Sequence, residues 1–119
     1  MTQEDKQLLL KDLCARLPYG VICDCLHSIS GKATIVDVED MTVYYTDCDE
    51  WESIEHCRPY LRRNTSMTEE EKKELWELLK TLGITAEVKR LDWLNAHHFD
   101  YRGLIEKGLA LEAPEGMYK

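Results

Sequence analysis

The sequence predicts a single α+β domain, a small three-stranded antiparallel sheet covered by three to four helices. Three observations carry that expectation. Apolar residues recur at three- and four-residue intervals near the start of the chain and again after residue 66, which is helical spacing. Between residues 21 and 46 the pattern changes to short runs rich in valine, isoleucine, threonine and tyrosine, the composition of strands. The order is therefore helix, strands, helices, and a helical stripe and one face of a small sheet can bury each other.

Thr2-Gln3-Glu4-Asp5 starts the first helix, with Thr2 offering an acceptor to the orphan amides and acids suiting the macrodipole. Leu9, Leu10, Leu13, Cys14 and Leu17 form one apolar stripe, in which Cys14 behaves as a small hydrophobe. Pro18-Tyr19-Gly20 ends that helix. Strands are expected over residues 21–27, 33–38 and 41–46. A turn at Ser28-Ile29-Ser30-Gly31-Lys32 and a tight connection at Glu39-Asp40 join them into a meander. Residues 46–57 read as irregular, with a short helical turn around 51–56, and Pro59 disfavours a helix running through it. Two capping boxes precede the next helix, Ser66 with Glu69 and Thr68 with Glu71. Its stripe is Leu75, Trp76, Leu79 and Leu82, and Gly83 stops it. A third helix is expected over residues 86–97, capped by Thr85, with Val88, Leu91, Trp93 and Leu94 as its larger apolar residues. Asp100 can cap a fourth over residues 101–107.

The chain has 119 residues, which suits one domain over residues 1–119 with 113–119 as a tail. A hydrophobic content of 44% and a charged content of 32% fit a folded domain with its own core. The first residues are polar and acidic, so no secretory signal is expected, and no apolar run is long enough to span a membrane. Five cysteines (Cys14, Cys23, Cys25, Cys48 and Cys57) without an export signal read as reduced thiols in a cytosol.

Charge is the most uneven property. Residues 33–57 carry eight carboxylates and neither lysine nor arginine, and the rest of the chain holds 15 acids against 15 bases. The whole formal charge of −8 therefore sits in one stretch. Such a stretch either keeps a solvated loop soluble or steers a partner with a basic surface. The second reading places a partner-binding site on Asp47, Asp49, Glu50, Trp51, Glu52 and Glu55, with Trp51 as an anchor ringed by charge. The sign then reverses at Arg58, Arg62 and Arg63, with Tyr60 between them, just before a helix start. Guanidiniums and free helix amides attract anions, and Tyr60 offers a flat face to a base. A small phosphorylated ligand such as a nucleotide would be held there. His97, His98 and Arg102 would join if the later helices fold back over the turn. The plainer alternative is that these arginines balance the neighbouring acids. The element order resembles that of the double-stranded-RNA-binding domain. An acidic sheet region contradicts RNA binding, so no direct nucleic-acid partner is expected.

Signals for chemistry are weaker. Cys23-Asp24-Cys25 places two thiols on one strand face, and Cys48, His56 and Cys57 come later, but the spacing is that of no zinc finger, knuckle or ribbon. No metal is expected. His97-His98-Phe99-Asp100 could perform acid–base work, though Asp100 has the simpler role of a cap. No nucleophile motif, P-loop or dinucleotide fingerprint is present, so neither catalytic residues nor cofactors are expected. A metal- or histidine-dependent enzyme remains the reading from another class.

Three segments together resemble small uncharacterised proteins encoded by phages, prophages and mobile elements of gut bacteria. They are Leu17-Pro18-Tyr19-Gly20-Val21, then Ile54-Glu55-His56-Cys57-Arg58-Pro59-Tyr60-Leu61-Arg62 followed by Ser66-Met67-Thr68-Glu69-Glu70. The third is the run over residues 92–114 that opens Asp92-Trp93-Leu94-Asn95-Ala96-His97-His98-Phe99-Asp100-Tyr101-Arg102-Gly103. The resemblance implies a bacterial cytoplasm and a dispensable, element-borne role such as inhibition of host defence, and it brings no catalytic residues. The function expected from sequence is a non-catalytic accessory protein that docks its acidic surface on a basic host protein.

Overall fold

A computed structural model of the chain describes residues 1–24, 31–46, 51–81 and 86–118. The turn expected at Ser28-Ile29-Ser30, the helix stop at Gly83 and the cap at Thr85 lie outside the described residues, as do Cys25, Cys48 and Leu82.

Helix α1 spans Gln3–Arg16 and opens with a capping box between Thr2 and Asp5: the Asp5 amide donates to the Thr2 hydroxyl at 3.1 Å. Leu9 and Leu13 are fully buried, while Leu10 and Leu17 pack at the margin of the core. Cys14 does not share the buried face; it is exposed. The contact line runs along residues 9, 12, 13 and 16, and Cys14 lies one residue, about 100°, round the helix from Leu13. Asp12 and Arg16 are buried instead, as an i,i+4 ion pair. A 3-10 turn over Leu17–Tyr19 and Gly20 at φ 70 then stop the helix, as the Pro-Tyr-Gly signal predicts.

The expected meander is present as β1 (Ile22–Asp24), β2 (Lys32–Glu39) and β3 (Thr42–Tyr45), with β1–β2 and β2–β3 antiparallel. The three-stranded sheet needs correction. Six strands are present among the described residues, adding β4 (Glu52–Ser53), β5 (Arg58–Leu61) and β6 (Leu111–Glu112) in the order β4-β3-β2-β1-β5-β6. The sheet is mixed, because β6 runs parallel to β5. Strand β5 pairs across a long gap in sequence, Cys23 opposite Pro59, so no local pattern announces it. Pro59 is tolerated because β6 joins only from Tyr60 onward, leaving β5 an edge on that side at the proline. The core face gathers Cys23, Ala33, Ile35, Val43, Tyr45 and Leu61 under Leu9 and Leu13 of α1.

Helices α2 (Glu69–Thr81) and α3 (Ala86–Ala96) pack on each other around a second cluster of Trp93, Leu94 and Phe99, joined by Leu75 and Leu78. Of the two capping boxes, Thr68 with Glu71 is the one formed. Ser66 instead donates its hydroxyl to the Arg63 carbonyl in a 3-10 turn. Trp76 is not part of the buried stripe: it is 64% exposed, and Leu78 takes the inward position. Val88 is likewise exposed. The fourth helix is absent. Asp100 does cap the segment, accepting from the Leu104 and Ile105 amides at 2.9 and 3.0 Å, but residues 104–108 form successive turns. Residues 114–118, expected as a tail, return to the sheet. There the Tyr118 hydroxyl donates to the Tyr60 carbonyl at 2.6 Å and accepts from the Ile22 amide at 2.9 Å.

Candidate partner-binding face

The β2–β3 hairpin turns at Asp40, whose φ of 53 is a left-handed value that aspartate tolerates. Its register sorts the side chains. Ile35 opposite Tyr45 and Val38 opposite Val43 face the core, so Asp37 opposite Tyr44 and Glu39 opposite Thr42 face outward. A bulge between Ile35 and Asp37 turns Val36 out as well. Trp51, 42% exposed, lies against Tyr44 with ring centroids 5.3 Å apart. One outer corner of the sheet thus combines an aromatic pair, Val36 and the carboxylates of Asp37 and Glu39. Asp40 stands exposed at the hairpin tip.

The residues expected to bind a partner divide three ways. Asp47, Asp49 and Glu50 lie outside the described residues. Trp51 stands on this outer corner. Glu52 is half-buried in β4, and Glu55 is tied to α1 through an ion pair with Lys6. Lys6 holds the Glu55 carboxyl below its ordinary value. The face also contains Asp37, Glu39 and Tyr44, which sequence patterning did not single out. Their signal was the alternation along 37–39 and 42–45, obscured by the one-residue bulge at Val36.

The residues expected to bind an anion do not act as one group. Arg62 makes a two-pronged bond to Glu71, at 2.8 and 2.7 Å, and its guanidinium covers the Phe99 ring at 4.2 Å. That bond is the largest cause holding the Glu71 carboxyl down at about 2, with the Thr68 cap assisting. His97 stacks on Trp93 at 4.1 Å, with Nδ1 3.4 Å from the same carboxylate. Arg63 turns away to Glu112 at 3.1 Å, and Arg102 reaches Asp12 at 3.1 Å. Arg58 is exposed opposite Asp24, and Tyr60 lies under the Lys32 ammonium. Among the described residues, then, Arg62, Arg63 and Arg102 pair with carboxylates outside residues 33–57. Of Arg58, Arg62 and Arg63, expected to balance the acidic stretch, the last two thus hold carboxylates elsewhere.

His98 is the most constrained of the set. Helix α3 ends in a Schellman motif, with Phe99 N–H donating to the Leu94 carbonyl and His98 N–H to that of Asn95. His98 occupies the left-handed position at φ 64, where glycine is usual. Its ring is buried, stacked on Tyr118 at 3.6 Å, and Nδ1 has no hydrogen-bond partner among the described residues. Burial first, then the charges of Arg16, His97 and Arg62, push its pKa down to about 4.

Arg16 is bound on three sides: to Asp12 at 2.7 Å, to the Phe99 carbonyl at 2.6 Å, and over the Tyr101 ring at 5.3 Å. Among the described residues, no three histidine, cysteine, aspartate or glutamate side chains come together as metal ligands. No helix among them is long and apolar enough to cross a membrane.

No protein-family model matches the chain, no curated protein matches it, and no solved structure matches its fold.

Proposed function

We propose that this protein acts by binding, and that the outer β2–β3 corner with Trp51 docks on a protein with a basic surface. One observation carries the reading. Asp37, Glu39 and Asp40 share the outer β2–β3 corner with half-buried Tyr44 and exposed Trp51, while Arg62, Arg63 and Arg102 pair with carboxylates elsewhere in the fold. The carboxylates of Asp37, Glu39 and Asp40 are therefore presented to solvent. Unpaired charge of one sign speeds encounter with the opposite sign, and a partly buried tryptophan beside it supplies contact area. The role expected from the likeness to phage and mobile-element proteins, interference with a factor in the bacterial cytoplasm, would be exercised through this face.

A small anionic ligand at the arginine turn has less support, because Arg62 and Arg63 already hold Glu71 and Glu112. A histidine-dependent reaction has less again, since His98 is enclosed and His97 is stacked on Trp93.

The test is parallel affinity capture from bacterial lysate with the wild type, the Asp37→Lys/Glu39→Lys variant and Trp51→Ala. The reading requires a partner with a basic surface, held by the wild type and lost from both variants. Capture of the same proteins by all three would reject it.

A further inference from the structure

We propose that Cys23 and Cys57 are an oxidation site, a buried dithiol that hydrogen peroxide converts to a disulfide tying β1 to β5. Cys23 lies in β1, and Cys57 immediately precedes β5. Cys23 stands opposite Pro59, and Cys57 lies two residues before it, which makes the pair diagonal neighbours on the core face. The two Sγ atoms lie 3.6 Å apart, in hydrogen-bonding contact. A disulfide needs about 2.05 Å between the sulfurs, so they must approach by roughly 1.5 Å, with backbone movement because diagonal neighbours stand about 7–8 Å apart.

Peroxide must enter through transient opening of the β1–β5 seam. Both side chains are fully buried in a largely apolar core, but the Tyr45 hydroxyl is buried beside them without a well-directed hydrogen bond of its own. The contact with Cys23, and after it the nearby Tyr45 hydroxyl, hold the Cys57 thiol below its ordinary value against the opposing effect of burial. A thiolate is the nucleophile toward peroxide. Cys57 sulfur attacks one peroxide oxygen, the O–O bond breaks, and with the thiol proton the other oxygen leaves as water. Cys57 is then a sulfenic acid. Cys23 sulfur attacks the Cys57 sulfur, the S–O bond breaks, and the departing hydroxide takes the Cys23 proton as a second water. Two thiols have lost two electrons and two protons, and one peroxide has become two waters.

The topology gives the link a consequence for stability. Strand β5 joins the meander to everything after residue 57, and the β1–β5 seam is where those two parts of the sheet meet. A covalent link there closes a 34-residue separation in the unfolded chain. It is expected to lower the unfolding equilibrium constant by about a hundredfold.

The experiment treats the reduced full-length protein with graded hydrogen peroxide, then alkylates the remaining thiols and maps them by mass. Trypsin, cutting after Arg16, separates Cys14 from Cys23, and a protease cleaving before aspartate separates Cys23 from Cys25 at Asp24 and Cys48 from Cys57 at Asp49. Exposed Cys14 serves as the internal reference for a solvent-accessible thiol. The expected result is a peptide pair joined through Cys23 and Cys57, two mass units lighter than the reduced pair. It should be reversed by dithiothreitol, absent in Cys57→Ala, and accompanied by a higher urea midpoint in the wild type. Cys23 and Cys57 remaining alkylatable at peroxide levels that consume Cys14, or a disulfide mapped to other cysteines, overturns the proposal.

Discussion

Arg16 and Phe99, 83 residues apart in the chain, are joined by a 2.6 Å hydrogen bond from the guanidinium to the Phe99 carbonyl. Through that bond the last turn of α1 holds the segment that ends α3. On its other side Arg16 pairs with Asp12, and Asp12 also accepts from Arg102. One buried carboxylate thus serves two guanidiniums, in a network that continues through the Tyr101 hydroxyl to Asn95.

Breaking this network from the acid side leaves Arg16 charged and enclosed. Asp12→Ala should destabilise the fold by about 3–5 kcal/mol, the cost of an uncompensated buried charge. Urea unfolding measures it. A loss under about 1 kcal/mol would show that Arg16 reaches solvent.

Acid sensitivity should come in two stages, both with stability falling as pH falls. His98 is held neutral, at about 4 in the folded state against an ordinary value near 6.5, so the unfolded chain takes up its proton first. Its contribution is complete above pH 6.5 and is lost on descent through pH 4. Glu71, at about 2 when folded, contributes above its unfolded value of about 4.5 and loses that contribution between there and pH 2. Stability measured from about pH 7 to 3 in wild type, His98→Leu and Glu71→Gln should show the upper stage missing in the first variant and the lower in the second. An unchanged upper stage in His98→Leu would assign it to another group.

The Arg62 bond is geometric as well as electrostatic. Arg62→Lys keeps the charge but loses the two-pronged contact and the cover over Phe99. A loss of about 1–2 kcal/mol is expected, together with a rise in the Glu71 pKa followed by carboxyl NMR. Thr68→Ala, which removes only the cap, should cost about 1 kcal/mol.

Much of this fold was written locally. The Thr2 cap, the Pro-Tyr-Gly stop, the meander and the Thr68–Glu71 box depend on neighbours a few residues apart, and each is where its residues place it. The parts that were not legible depend on distant partners. Strand β5 exists because β1 and β6 flank it, and its four residues contain a proline that argues locally against a strand. Asp12 and Arg16 are charges at a spacing typical of a solvated helix face, and only the return of Phe99 and Arg102 makes that face interior. Asp100 carries a helix cap's signature, yet the chain beyond it winds through turns at Gly103 and Gly108, both at positive φ. For the candidate face, the charge was plain in the sequence. Which acids stand beside Trp51 was not, because the bulge at Val36 shifts the alternation by one residue.

The central claim, that the acidic corner steers a basic partner, is tested most directly by the association rate of that partner as a function of ionic strength. For the wild type the rate should fall steeply between about 20 and 300 mM salt, as the Debye length shrinks below the separation of the two charged surfaces. For Asp37→Lys/Glu39→Lys it should be at least roughly tenfold lower at low salt and nearly flat. Superimposable salt profiles for the two proteins, with the variant folded, would contradict the account.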